Sequence, residues 1–145
     1  MQLTKNFTLE ELTFSTTAAN KHIDNTPTEE ARKQLERLAK EVLQPIRDAY
    51  GHTIHVNSGY RGPKVNAAVG GSKTSQHMKG EAADIRCSAT TKKELFDLIK
   101  KMMDEGKIKV GQLIWEYGTK KEPQWIHVSL PTSTKKNQVL YLGVK

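Results

Sequence analysis

Two histidines and an aspartate carry the strongest chemical signal in the sequence. His77 and Asp84 lie in Ser75-Gln76-His77-Met78-Lys79-Gly80-Glu81-Ala82-Ala83-Asp84, and His127 lies in Trp125-Ile126-His127-Val128-Ser129. Asp84 interrupts Ala82-Ala83-Asp84-Ile85-Arg86-Cys87, a small, apolar run that reads as a central strand. A carboxylate buried there without a partner is costly, so it requires a cation or several donors. A loop turning at Gly80 folds His77 back over that strand, and alternation in the 125–129 strand puts Trp125, His127 and Ser129 on one face. Two imidazoles and one carboxylate form a borderline donor set that suits zinc. They fill three tetrahedral positions and leave the fourth for water. Taken singly, each residue also has an ordinary reading: His127 as a satisfied core imidazole, Asp84 as an edge or hydrogen-bonded structural acid.

The elements that must position these groups follow from caps and periodicity. Thr8-Leu9-Glu10-Glu11 has capping-box spacing and starts a short helix. Thr26-Pro27-Thr28-Glu29 repeats the signal, with Pro27 expected at the first helical position. Ala31, Leu35, Leu38, Val42, Ile46 and Ala49 then form one apolar stripe of a long helix closed by Gly51. A short strand over residues 53–57 puts Ile54 and Val56 on one face and His55 on the other. A short helix follows from Pro63 to Val69, then a polar loop from Ser72 to Gly80. Thr91 caps a second long helix with Leu95, Leu98, Ile99 and Met102 buried, ending at Gly106. Residues 112–117, 125–129 and 139–142 read as further strands. This order predicts an α+β domain with a small, mainly antiparallel sheet flanked by helices.

Composition bounds the function. With 145 residues the chain fits one domain (1–145), with residues 1–25 as an N-terminal extension packed on it. A hydrophobic share of 36% beside 27% charged residues fits a globular protein, not a disordered one. No apolar stretch is long enough to span a membrane, and the first residues lack a secretory signal. The expectation is therefore a protein made in the cytoplasm, with no membrane partner, that reaches an external substrate only after lysis or delivery. Cys87 is the lone cysteine, which excludes an intrachain disulfide and any multi-thiolate zinc site. The net charge of +7 favours anionic partners, but the lysines occur as scattered pairs, Lys92-Lys93, Lys100-Lys101, Lys120-Lys121 and Lys135-Lys136, without interleaved aromatics. No nucleic-acid partner is expected, whereas a polyanionic bacterial wall suits the charge. Monomer is the default.

Ser75-x-His77-x-x-Gly80-x-Ala82-x-Asp84 followed by Trp125-x-His127 resembles the signature of the zinc D-Ala-D-Ala carboxypeptidase family of murein peptidases. Ser58-Gly59-Tyr60-Arg61 and Val65-Asn66-x-x-Val69-Gly70-Gly71-Ser72 resemble it too, especially its short phage-like single-domain members. The resemblance spans roughly residues 35 to 130. It implies a fold like that of Hedgehog and D-Ala-D-Ala peptidase domains, and one zinc ion held by His77, Asp84 and His127 with an open position for water. The implied activity is hydrolysis of bonds next to D-amino acids in peptidoglycan stem peptides, as a D,D-carboxypeptidase or an endopeptidase, in the manner of an endolysin. Arg61 matches the arginine that faces the substrate and stabilises its carboxylate or the developing oxyanion, a task suited to a permanently charged fork of donors. Ser75 is implied near metal or substrate, a simple loop cap being the other reading.

The resemblance departs from the pattern at the general base. Many members carry an acid three positions before the last ligand, where this chain has Gln124, which cannot shuttle a proton. Glu116, at the end of Leu113-Ile114-Trp115-Glu116, is the preferred substitute, because a strand positions a base better than a loop. Glu122, beside Pro123, is the second choice. A catalytically inactive zinc-containing wall-binding module is the alternative that Gln124 would favour.

Overall fold

The apolar stripe beginning at Ala31 forms one helical run from Glu29 to Tyr50 in the computed structural model, which describes residues 1–145. It comprises helix α3 (Glu29–Leu38), a wider π turn over Ala39–Leu43, and helix α4 (Gln44–Tyr50). Pro45, just past that turn, has no N–H to continue the α-helical ladder. The wide turn inserts a residue and rotates α4 relative to α3. Ala49, expected inside, is therefore exposed, and Tyr50 packs on the core instead. The start of the helix also differs from expectation. The cap is Thr28, whose Oγ1 accepts from Ala31 N at 3.1 Å, while Thr26 bonds to Asp24 and Pro27 stays outside the helix. The Thr26 hydroxyl is turned to Asp24 instead, donating to its Oδ1 at 2.6 Å.

Before this run the chain forms strands β1 (Gln2–Thr4) and β2 (Phe7–Thr8), then helices α1 (Leu9–Thr13) and α2 (Thr16–Lys21). The sequence pattern anticipates only α1, capped by Thr8. Phe7 and Leu12 are fully buried in the same apolar cluster as Leu35, Leu38 and Ile85.

The remaining elements are β3 (His55–Ser58), α5 (Pro63–Ala68), β4 (Ala82–Arg86), α6 (Lys92–Asp104), β5 (Gln112–Glu116), β6 (Trp125–Ser129) and β7 (Gln138–Leu142). The expected 72–80 loop contains a short 3₁₀ turn over Gln76–Lys79. The strands build a sheet in the order β3-β4-β6-β5-β7, antiparallel except for the parallel β5–β7 edge pair. The protein is thus α+β with a mixed, mainly antiparallel five-stranded sheet.

Alternation gives the sheet two different faces. Ala83, Ile85, Leu113, Trp115, Ile126 and Val128 belong to the core with the long helical run and α6, whose Phe96 is buried beside Leu95 and Ile99. The opposite face carries Asp84, His127, Ile114 and Glu116. A register shift between Val56 and Ser58 lets β3 leave the core face and set Ser58 opposite Asp84. No helix is long and apolar enough to cross a membrane.

Candidate metal centre and active site

Strand register brings two of the three expected ligands together, because Asp84 of β4 pairs directly with His127 of β6. His127 Nδ1 lies 3.0 Å from Asp84 Oδ1. The 3₁₀ turn supplies the third, with His77 Nε2 3.4 Å from the same oxygen. One potential ligand atom from each of the three lies within 4.8 Å of the others. The imidazole rings meet edge to face at 5.3 Å.

His77 is held from two sides. Its Nδ1 is 2.7 Å from the Gly59 carbonyl, which can only accept, so the proton sits on Nδ1 and Nε2 presents its lone pair to the cluster. Gly59 in turn presses on the Leu12 carbonyl so closely that any Cβ would collide with it. Tyr60 N donates to that same carbonyl at 2.8 Å. Helix α1 therefore sets the Gly59 backbone, and the Gly59 backbone sets the imidazole. After His77 the chain turns at Gly80, with φ +74° and Ala31 backbone where a side chain would lie.

Burial raises the cost of charge on Asp84, but the flanking imidazoles of His127 and His77, when protonated, donate to it and add their charge, and this outweighs burial. The carboxyl stays well below the usual carboxylate range. A fixed anionic oxygen flanked by two imidazole nitrogens is the donor chemistry that fits a zinc ion. His77, Asp84 and His127 are the residues that would hold it.

These groups line a cleft of about 420 Å³, together with Arg61, Ser75, Glu116, Trp125, Gln112 and Lys135. Ser75 Oγ accepts from His77 N at 3.1 Å and from Arg61 Nη2 at 3.3 Å, so one hydroxyl ties the metal loop to the arginine. It acts as loop cap and cleft residue at once. Arg61 Nε is buried without a partner. Burial pushes the guanidinium pKa down, while Asp84 and Glu116 push it back up. A permanently charged donor with an unfilled site invites an anionic ligand.

The sequence matches the model of the family described as Peptidase M15 over residues 5–129. The chain belongs to the peptidase M15 family. No curated protein matches it. The M15 family consists of zinc-dependent metallopeptidases acting on cell-wall peptides, and the His77–Asp84–His127 cluster is where this M15 chain could bind such an ion.

Of the two acids considered for proton transfer, only Glu116 lines the M15 cleft. Glu122 lies elsewhere. Its carboxylate accepts from Lys92 N at 2.8 Å and pairs with Lys92 Nζ at 3.1 Å, at the start of α6. Gln124 is exposed and does not line the cleft, and His55 lies beside Glu11. Sequence reasoning missed the partner of Glu116: Trp125 Nε1 donates to Glu116 Oε2 at 2.5 Å. The pair is adjacent because Glu116 opposes Trp125 in the register that sets Ile114 against His127. Only the strand register, never the linear spacing, exposes it. Tyr117 and Lys135 also line the cleft with no distinguishing local sequence signal.

Proposed function

We propose that the chain hydrolyses peptide bonds adjacent to D-amino acids in peptidoglycan stem peptides, as a zinc-dependent D,D-carboxypeptidase or endopeptidase. It would act on the wall after lysis or delivery, as a lysin does. One observation carries the reading: the candidate ligand cluster, a carboxylate held by Trp125 and an arginine with a free donor share one cleft. The proposed domain is the whole 1–145 chain, with residues 1–25 as an N-terminal extension packed on it.

When bound, a zinc ion supplies Lewis-acid polarisation of a peptide carbonyl and makes water nucleophilic near neutral pH. Arg61 binds the substrate carboxylate or the oxygen on which charge develops, and Ser75 orients the guanidinium. Glu116 takes a proton from the attacking water and returns it to the leaving amine. The Trp125 indole fixes one oxygen of Glu116 and leaves the other for that exchange.

The test is incubation of zinc-loaded protein with stem and cross-linked peptides, products read by mass spectrometry, beside a chelated sample. Chelator-sensitive cleavage is expected, and the mass lost names the bond. Glu116→Gln should lower kcat by roughly 10²–10⁴-fold while zinc content stays unchanged. Loss of zinc without loss of activity, or an undiminished Glu116→Gln variant, would overturn the mechanism.

A further inference from the structure

We propose that Lys135 forms a second anion subsite in the cleft, selecting peptides that carry a free carboxylate away from the bond that is cut. The inference rests on the peptidase reading and concerns its substrate class.

Besides the histidines, four charged side chains line the cleft: Arg61, Asp84, Glu116 and Lys135. Asp84 is engaged by two imidazoles, Glu116 by the Trp125 indole, and Arg61 by the Ser75 hydroxyl. Lys135 is different. The lysine ion pairs of the chain involve Lys40, Lys92, Lys93 and Lys107, and leave Lys135 out. A half-buried lysine that lines the cleft and enters no ion pair has unused capacity for an anion.

The backbone that presents Lys135 is fixed. Lys135 N donates to Thr132 Oγ1 at 3.1 Å, and Thr132 N donates back to the Lys135 carbonyl at 2.9 Å. Two residues on, Asn137 N and Gln138 N bond to the carbonyls of Val110 and Gly111 at 2.7 and 3.0 Å, tying this turn to the start of β5. Gln112 and Gln138 join side chains at 2.9 Å beside it. A ligand charge meeting Lys135 therefore need not order a loop, which lowers the entropic cost of binding.

Placement argues for a site separate from the proton-transfer end. Lys135 sits near the Gln112 end of β5, whereas Glu116, Tyr117 and Trp125 lie at the other. Gln112 and Glu116 are four residue steps apart along the strand, roughly 13 Å of extended chain. That is room for a short peptide with one acidic group near Lys135 and its reacting bond nearer the cluster. The charges agree: Asp84 and Glu116 are offset by Arg61 and Lys135, so a divalent ion would leave the cleft net positive. A ligand with more than one carboxylate complements it.

The experiment uses three synthetic D-amino-acid peptides of one sequence. One has a free internal carboxyl, one has that carboxyl amidated, and one has only the C-terminal carboxyl amidated. Binding to the metal-free protein is followed by tryptophan fluorescence, and turnover is measured with the zinc-loaded protein. The wild type should prefer the free over the amidated internal carboxyl by about threefold to fivefold, as for a partly exposed ion pair. In Lys135→Ala that ratio should fall to about one, and Lys135→Arg should retain most of it. A wild type without the preference, a Lys135→Ala protein that keeps it, or a Lys135 effect that follows the C-terminal carboxyl would overturn the subsite. If the zinc-loaded wild type cleaves none of the peptides, the peptidase reading fails, and the binding ratio still decides Lys135.

Discussion

Trp125 Nε1 and Glu116 Oε2 are 2.5 Å apart, and that single contact decides what the carboxylate is free to do. A hydrogen bond to a charged group contributes about 1.5–3 kcal/mol, enough to hold a carboxylate in one rotamer. Replacing Trp125 with Phe keeps a ring on the strand but removes the donor. Trp125→Phe is expected to lower kcat by about tenfold, with KM and bound zinc little changed. Steady-state kinetics and metal analysis check this, and a change confined to KM would make Trp125 a substrate contact instead. The difference between what was readable and what was not is chemical. His77, Asp84 and His127 stand out in the sequence because an acid in an apolar strand and histidines at strand and loop are costly without a role. Trp125 stands out beside His127 but not as the partner of Glu116, and Lys135 carries no local signal; only the pairing of β5 with β6 and the turn before β7 gives them these roles.

At the scale of elements, Glu122 shows how an acid that looks available can already be employed. It accepts from the Lys92 backbone and pairs with the Lys92 side chain, and these bonds hold its carboxyl below the usual range. A carboxylate at a helix N-terminus stabilises by about 0.3–1 kcal/mol at such an exposed position. A depressed folded-state pKa means the stabilisation is present above the usual carboxylate range and is lost as pH falls through the lower folded value. Glu122→Gln is therefore expected to lower Tm by roughly 1–3 °C at neutral pH. The difference from wild type should vanish in acid, and kcat should be unchanged. Thermal scans across pH and a peptide assay check both; a kcat that collapses would return Glu122 to the site. The long helices were legible for the same reason that Glu122 was not. Apolar periodicity and the Thr91 cap act within one segment, whereas Glu122 reaches α6 across 30 residues. Legibility failed locally too where two signals competed, as for Thr26 and Thr28, or where Pro45 and a wide turn shifted the phase and put Ala49 outside.

For the whole molecule, the candidate metal site is a junction between segments that meet only in the folded chain. His77 comes from the turn after α5, Asp84 from β4 and His127 from β6, with Gly59 after β3 and Leu12 of α1 behind them. An ion bound there would favour the folded state over any state in which these segments have separated. Zinc at a hundred times its Kd adds about 2.7 kcal/mol, and for a chain of this size roughly 2–4 °C accompanies each kcal/mol. Zinc should accordingly raise Tm by about 5–10 °C, and a chelator should reverse the gain. Asp84→Asn removes the anionic ligand at nearly constant shape, so its Tm should not respond to zinc. Gly59→Ala tests the support behind His77: the added methyl must displace the Leu12 carbonyl, so the variant should lose stability even without metal. Differential scanning calorimetry of the three proteins, with and without zinc, separates the outcomes. An Asp84→Asn protein that gains as much from zinc as the wild type would place the ion elsewhere. A Gly59→Ala protein as stable as wild type would show that α1 does not set the position of His77.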